Sequence, residues 1–350
     1  TEGFIDRENN MARDQLASLL REYDEYLSYG DTPVEYIFFP TTVVGLNQAF
    51  GNVQGVRSRA IMQVIGDQGR GKTTLSLEML ANAQKHDILT DIKLPNGRII
   101  NSVFADFERT FDSAYAQKLG VDTTKLYLIR TPFAEQTFEI MLALFENGLK
   151  FAIIDSIAMM IPRAEEGKDM TKDNPKVASE AAALQRFLKL AVQHVFDANA
   201  LLILINQYRA NMSQMGNAPD KKAYGAKSVQ YAMQVSVELR KVATENGRMR
   251  IRAFVEKSKQ GAGGKTMDFD IIQGAGIDRA FHVLELAVEN EIVAKAGAWY
   301  YYHTDGNPSK TNNTHRAQGK GQAKNLPIDE IEAKLVELLA TTEVQEVEDA

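Results

Sequence analysis

The chain has 350 residues, a hydrophobic content of 44% and a formal charge of −6, enough for one large core with small satellites. The absence of cysteine excludes disulfides, thiolate zinc sites and cysteine nucleophiles, as suits a reducing compartment. The longest apolar runs, FAIIDSIAMMI and ANALLILI, fall short of the ~18 residues that a membrane span needs, and the polar start TEGFIDRENNMARDQL is unlike a signal peptide, so a cytoplasmic protein with no membrane partner is expected.

In chain order, Asp6 to Tyr29 carries Met11, Leu16, Leu19, Leu20, Tyr23 and Leu27 at helical spacing, with Asp6 placed as a cap. The polar connector YGDTPVEYIFFPTT follows, so this helix is expected to dock on something other than its next element; packing on its own core is the alternative. From Arg59 onward apolar strands alternate with amphipathic helices. The series is strand Ala60–Ile65, helix Thr73–Lys85, strand Ser102–Asp106, helix Asp112–Leu119, strand Leu126–Ile129 and helix Glu135–Asn147. Strand Phe151–Asp155, helix Ser179–Asp197 and strand Ala200–Asn206 complete it. This pattern predicts an α/β core with a mostly parallel sheet covered on both faces. Met233–Val242 and Arg248–Lys257 then read as a hairpin across ATENG, whose Asn-Gly is a turn signal. After a strand at Ala298–Tyr302 come the aperiodic basic stretch NPSKTNNTHRAQGKGQAK, a short helix Ile328–Leu339 and the tail TTEVQEVEDA. Charge is uneven: Ile205 to Lys265 holds twelve Lys/Arg against four Asp/Glu (net +8), and Pro327 to Ala350 holds one Lys against eight acids (net −7). Such asymmetry fits a polyanion-binding face and an acidic tail, with solvated strand faces as the plainer alternative.

GDQGRGKTT fits G-x-x-x-x-G-K-[ST], with Gly66, Gly71, Lys72 and Thr73 at the fixed places and Asp67, Gln68, Gly69 and Arg70 as the intervening loop, followed by Thr74. Between a strand and a helix, such a loop cradles phosphates with backbone N–H groups, Lys72 reaches the β/γ-phosphates and the Thr73 hydroxyl serves Mg²⁺. Asp155 ends the apolar strand FAIID, the place of a Walker-B acid. FADFE supplies Glu108 and Asp106 as candidate bases, of which Glu108, further into the loop, is preferred. Asn206 and Gln207 end a third strand and read either as buried caps or as a γ-phosphate sensor. Two aperiodic loops, PRAEEGKDMTKDNPK and YRANMSQMGNAPDKKAYGAK, leave the same sheet edge and fit ligand-dependent ordering. In FVEKSKQ, Lys257 and Lys259 alternate at a strand end, which puts two repelling ammonium groups on one face.

GDQGRGKTT, FADFERTFDSAYAQKLGVD, FAIIDSIAMMIPRAE, NQYR, VEKSK, QGAGI and KAGAWYYY resemble, in order and spacing, the RecA-type homologous recombinases, from TTVVGLNQAFG to IDEIEAKLVELL. VEKS in particular is similar to phage-encoded, UvsX-like members. The resemblance implies a RecA-like P-loop ATPase that forms a helical filament on single-stranded DNA and pairs it with homologous double-stranded DNA, using ATP and Mg²⁺, with a loader and a single-strand-binding protein as further partners. It divides the chain into a protomer-docking helix and connector (1–35), an ATPase core with two DNA-binding loops (36–277), a small C-terminal lobe (278–340) and an acidic tail (341–350). Glu108 becomes the water-activating base, Gln207 the γ-phosphate sensor, and Asp112 and Tyr115 the adenine neighbours; Thr73 and Asp155 serve the metal. Lys257 and Lys259 become cations that reach the neighbouring protomer's ATP. Met212 falls at the wedge between base triplets, and Gly225 in a stretch against the DNA backbone, with Arg163 opening the first loop. The chain departs from the family pattern at Tyr224-Gly225, Ala226, Gln230, Ala181 and Leu188, where Arg186 or Arg209 would compensate. A ring helicase on the same core and a nucleotide-gated DNA scaffold without turnover are the alternatives.

Overall fold

The computed structural model describes residues 15–24, 27, 29–163, 177–210, 221–261 and 263–348. Asp6, Met11 and Met212, and most of both loops, lie outside them. The chain divides into two compact units, Thr1–Tyr36 and Ile37–Ala350. In the first, residues 15–22 are helical, and its apolar stripe (Leu16, Leu19, Leu20, Tyr23, Leu27) stays about half exposed, between 45% and 54%.

The second unit is built on a nine-stranded sheet. Its strands are β1 (Ala60–Ile65), β2 (Ser102–Asp106), β3 (Leu126–Ile129), β4 (Phe151–Asp155) and β5 (Leu201–Asn206). They continue with β6 (Val235–Glu245), β7 (Arg248–Ser258), β8 (Thr266–Ile272) and β9 (Gly276–Ile277). The spatial order is β9-β8-β7-β6-β1-β5-β4-β2-β3, parallel from β3 to β6 and antiparallel beyond. The central strands are mostly apolar because they are buried on both faces. Their period of two sorts them between two cores. Met62, Val64, Ile153, Ile203 and Ile205 join the side of helix Lys72–Lys85, while Ile61, Ala152, Ile154, Leu202 and Leu204 join the side of helices Ala134–Glu146 and Val177–Asp197. There Phe138 stacks on Phe187 at 4.0 Å. A third core binds helix Arg279–Glu289 and helix Ile328–Glu348 to the three-stranded sheet Val293–Ala296, Trp299–Tyr302 and His315–Gln318.

Four expectations need correction. The hairpin strands run on to Glu245 and Ser258, closing on Asn246 and Gly247, whose φ of 50° and 75° are what an Asn-Gly turn requires. The supposedly aperiodic second loop has a stem, since Tyr208–Ala210 pairs antiparallel with Lys221–Ala223. The basic stretch after Tyr302 contains the strand His315–Gln318 and a 3₁₀ segment Lys320–Asn325. The last helix passes Leu339 and continues to Glu348, with the Thr341 and Thr342 hydroxyls donating to the carbonyls four residues back, which accommodates both threonines within it. No helix among the described residues is long and apolar enough to cross a membrane.

Candidate functional site

The carboxyl ends of β1, β2, β4 and β5 meet at one sheet edge, where ligands bind in open α/β sheets. After β1 the chain turns through Gly66–Gly71, and Gly71, at φ 81°, caps helix Lys72–Lys85. The left-handed conformation favours glycine there, and a Cβ would sit 2.2 Å from Ile271 Cδ1 and displace the tip of that side chain. The buried Lys72 ammonium donates to the carbonyls of Gly66 (2.9 Å) and Asp67 (2.8 Å). Burial lowers its pKa, against the opposing pull of Asp155 and then Glu108.

Thr73 donates its hydroxyl to Asp155 Oδ2 at 2.6 Å. Burial, above all, lifts the Asp155 carboxyl to about 6; Thr73 and Lys72 oppose the rise and Glu108 adds to it. A hydroxyl and a desolvated carboxylate are hard oxygen donors of the kind Mg²⁺ takes. The raised pKa also has a consequence for stability. The folded value lies above the usual 3.8, so without nucleotide the stability associated with Asp155 is present below pH 4 and lost as pH rises through 6. Asp155→Asn should therefore stabilise the nucleotide-free protein at pH 8 by about 3 kcal/mol and have little effect near pH 4. Melting curves at the two pH values check this; equal shifts at both would contradict it.

Glu108 and Gln207 are brought together. Glu108 Oε1 accepts from Gln207 Nε2 at 2.6 Å and from Ser156 Oγ at 2.7 Å, which links the ends of β2, β4 and β5. Asp106, the rival base, is buried and already accepts the backbone N–H groups of Thr110 and Phe111 and the Arg130 Nε, bonds that engage it in its own loop. Asn206 is the buried cap: it donates to Tyr224 O at 2.9 Å and accepts from Gln207 N–H, tying the two ends of the second loop together.

A cleft of about 430 Å³ runs from Gly69, Arg70 and Gly71 past Thr74 and Tyr115 to Gln273 and Gly274. Tyr115 bonds Thr74 Oγ1 at 2.9 Å, while one oxygen of Asp112 caps helix Ser113–Lys118. Lys241 and Arg248, from β6 and β7, also line the cleft; sequence reasoning missed them and Gln273, since nothing local marks a distant hairpin that folds back over the phosphate loop. A wider cleft, about 560 Å³, holds Arg248 and Arg250, but these are paired with Asp278 and with Asp270 and Glu285.

Lys257 and Lys259 do not line the cleft of their own chain. Lys259 is exposed one residue beyond β7. Lys257, rather than facing only its fellow cation, donates to Gln230 O at 2.7 Å, on helix Ala226–Ala232. Burial lowers its pKa, and repulsion from Lys259 lowers it further, as expected of cations sharing a face. Of the predicted DNA contacts, Arg163 stands exposed at the mouth of the first loop, with its N–H on Glu135. Exposed Arg186 lines a groove with Glu135, Glu139 and Phe187. Arg209 lies in the stem of the second loop, and Gly225, at φ 64°, caps the helix that begins at Ala226.

A family model described as RecA N-terminal domain matches residues 27–278. The chain is 32% identical to Protein RecA of Streptomyces avermitilis over 339 residues, 93% of this chain and 83% of that one. It is 32% identical to Protein RecA of Campylobacter lari over 283 residues, 79% and 78% of the two chains. With Protein RecA of Helicobacter hepaticus it shares 31% over 325 residues, 89% and 87% of the two.

Proposed function

The chain belongs to the RecA family, and on that premise we propose how its residues carry out the family's work. The activity is ATP-dependent DNA recombination with DNA-dependent ATP hydrolysis. The single observation that carries the residue assignment is the 2.6 Å contact between Glu108 and Gln207, a carboxylate and an amide at the ends of neighbouring strands beside the phosphate loop.

ATP occupies the cleft from Gly66–Thr74 to Tyr115, with Asp112, Gln273 and Gly274 at its base end. Lys72 leaves the loop carbonyls for the phosphates. Thr73 and Asp155 hold Mg²⁺, which when bound neutralises phosphate charge. Glu108 takes the proton of the attacking water, and Gln207, released from Glu108, bonds the γ-phosphate. Because Gln207 N–H and Asn206 anchor the root of the second loop, this exchange reports the nucleotide state to the DNA-binding segment. The single strand lies against the two loops, near Arg163, Arg186, Arg209, Met212, Gly225 and Ala226, and the C-terminal lobe captures the homologous duplex. Lys257 and Lys259 act on the ATP of the next protomer in a helical filament. The exposed stripe Leu16, Leu19, Leu20, Tyr23, Leu27 supports docking of the N-terminal helix on that neighbour, since an apolar face of this kind seeks cover. The protein works in the cytoplasm, with a loader and a single-strand-binding protein as further partners.

Electron microscopy with single-stranded DNA and a non-hydrolysable ATP analogue tests the assembly: open helical filaments are expected, and closed hexamers would establish the ring helicase instead. DNA affinity should fall with salt, each neutralised phosphate contributing about −0.7 to the slope of log K against log salt concentration on a single strand. A flat titration would remove the basic loops from the interface.

A further inference from the structure

We propose that Glu78 is a positioning residue for the nucleotide, holding the turn Gln273–Ile277 against the base end of the cleft and making nucleotide affinity fall as pH rises. Glu78 lies one turn after Thr74 on helix Lys72–Lys85, on the same face, and is 6% exposed. Its Oε1 accepts the Ile277 N–H at 2.7 Å. The turn presses directly on this carboxyl: a Cβ on Gly276, at φ 93°, would lie 2.4 Å from Glu78 Oε1 and 2.5 Å from Leu119 Cδ2. The other end of the turn, Gln273 and Gly274, lines the cleft together with Thr74 and Tyr115. Glu78 thus stands behind the wall that a bound base would touch.

The carboxyl has too few partners to be comfortable when charged. Oε2 is enclosed without a hydrogen bond of good geometry, although the Thr42 hydroxyl is near enough to favour the ionised form slightly. Burial prevails and raises the group to about 7. Tyr115, on helix Ser113–Lys118, is the titratable group that senses its charge. From the loop before helix Val44–Phe50 the facing group is the Thr42 hydroxyl, and from the turn it is the Ile277 peptide N–H. Asp278, next along, is turned to Arg248 and the Phe281 N–H. A nucleotide in the cleft excludes water from this wall and brings phosphate charge to the start of the same helix, and both effects disfavour ionised Glu78. The protonated protein therefore binds more tightly, and binding takes up a proton.

This rests on assigning the cleft to nucleotide, and the experiment separates the two claims. Calorimetric titration of ADP with Mg²⁺ from pH 5.5 to 8.5 is compared between the native protein and Glu78→Gln, a neutral isostere. Any titration of the ligand is common to both proteins, so the ratio of their dissociation constants isolates Glu78. The ratio should change about tenfold across pH 7, the change produced when the bound state holds the Glu78 proton about ten times more tightly than the free state does. Parallel profiles would overturn the proposal while leaving the cleft assignment intact; no binding by either protein at any pH would overturn both. Should the variant not fold, Thr42→Val, which removes the hydroxyl that favours ionised Glu78, should move the midpoint of the affinity profile to higher pH, and an unmoved midpoint refutes the idea.

Discussion

Alanine at both Lys257 and Lys259 is expected to leave a folded protomer that binds nucleotide but neither assembles filaments in response to ATP nor hydrolyses it faster on single-stranded DNA. The folded state loses little. Lys259 is exposed, and Lys257 contributes one hydrogen bond, to the carbonyl of Gln230. That carbonyl lies in the last turn of its helix, where the N–H of Gln234, which could have closed the turn, goes to Ile61 instead. A cation there is worth about 1 kcal/mol. The loss falls on assembly. Two ammonium groups that already repel one another gain most from an anion placed between them, and a cation supplied in trans to a triphosphate raises turnover by about 10³-fold or more. On the proposed roles, a γ-phosphate that competes for Lys257 would uncap helix Ala226–Ala232, so the neighbour's nucleotide and the segment beside the second loop would draw on the same ammonium group. Negative-stain images with a non-hydrolysable analogue, steady-state turnover with and without DNA, and a melting curve together check this. Normal filaments from the double variant would remove the lysines from the interface.

The central sheet was legible because parallel strands covered on both faces are mostly apolar, with polar residues concentrated at their ends: β1, β2 and β4 begin and end where the runs AIMQVI, SVFAD and FAIID do, and the edge strand β3 matches LYLI. The antiparallel flank was less visible. β8, TMDFDII, alternates apolar Met267, Phe269 and Ile271 with Asp268 and Asp270, and those acids are tolerated because Arg252 and Arg250 on β7 pair with them, a compensation that exists only after the strands meet. The phosphate loop, Thr73 and Asp155 could be read from spacing, since each is fixed by its own strand end. Spacing could not separate Glu108 from Asp106 two residues away. Hydrogen bonds favour Glu108, because they engage Asp106 in its own loop and bring Glu108 to Gln207 across 99 residues of sequence.

Glu108→Gln should therefore retain nucleotide binding and lose turnover by about 10²- to 10⁴-fold, the usual contribution of a positioned general base. The substitution keeps shape and removes basicity. A glutamine carbonyl can still accept from Ser156 Oγ, now 2.7 Å from the carboxylate, so strand ends and loop root should stay in place. The bond to Gln207 Nε2 weakens, because an ionised acceptor makes the stronger hydrogen bond. Gln207 is then freer to turn toward a γ-phosphate, and filaments formed with ATP should dissociate more slowly than native ones because the triphosphate persists. Asp106→Asn provides the contrast. It disturbs a buried carboxylate that serves two backbone N–H groups and Arg130, so it should cost about 2–4 kcal/mol of stability while affecting the chemical step only through the folded fraction. Single-turnover hydrolysis, nucleotide titration and thermal denaturation of both variants separate the two roles. Near-native hydrolysis by Glu108→Gln would place the base elsewhere, and since Asp106 is enclosed by its own partners, the search would then have to move to a residue of the neighbouring protomer.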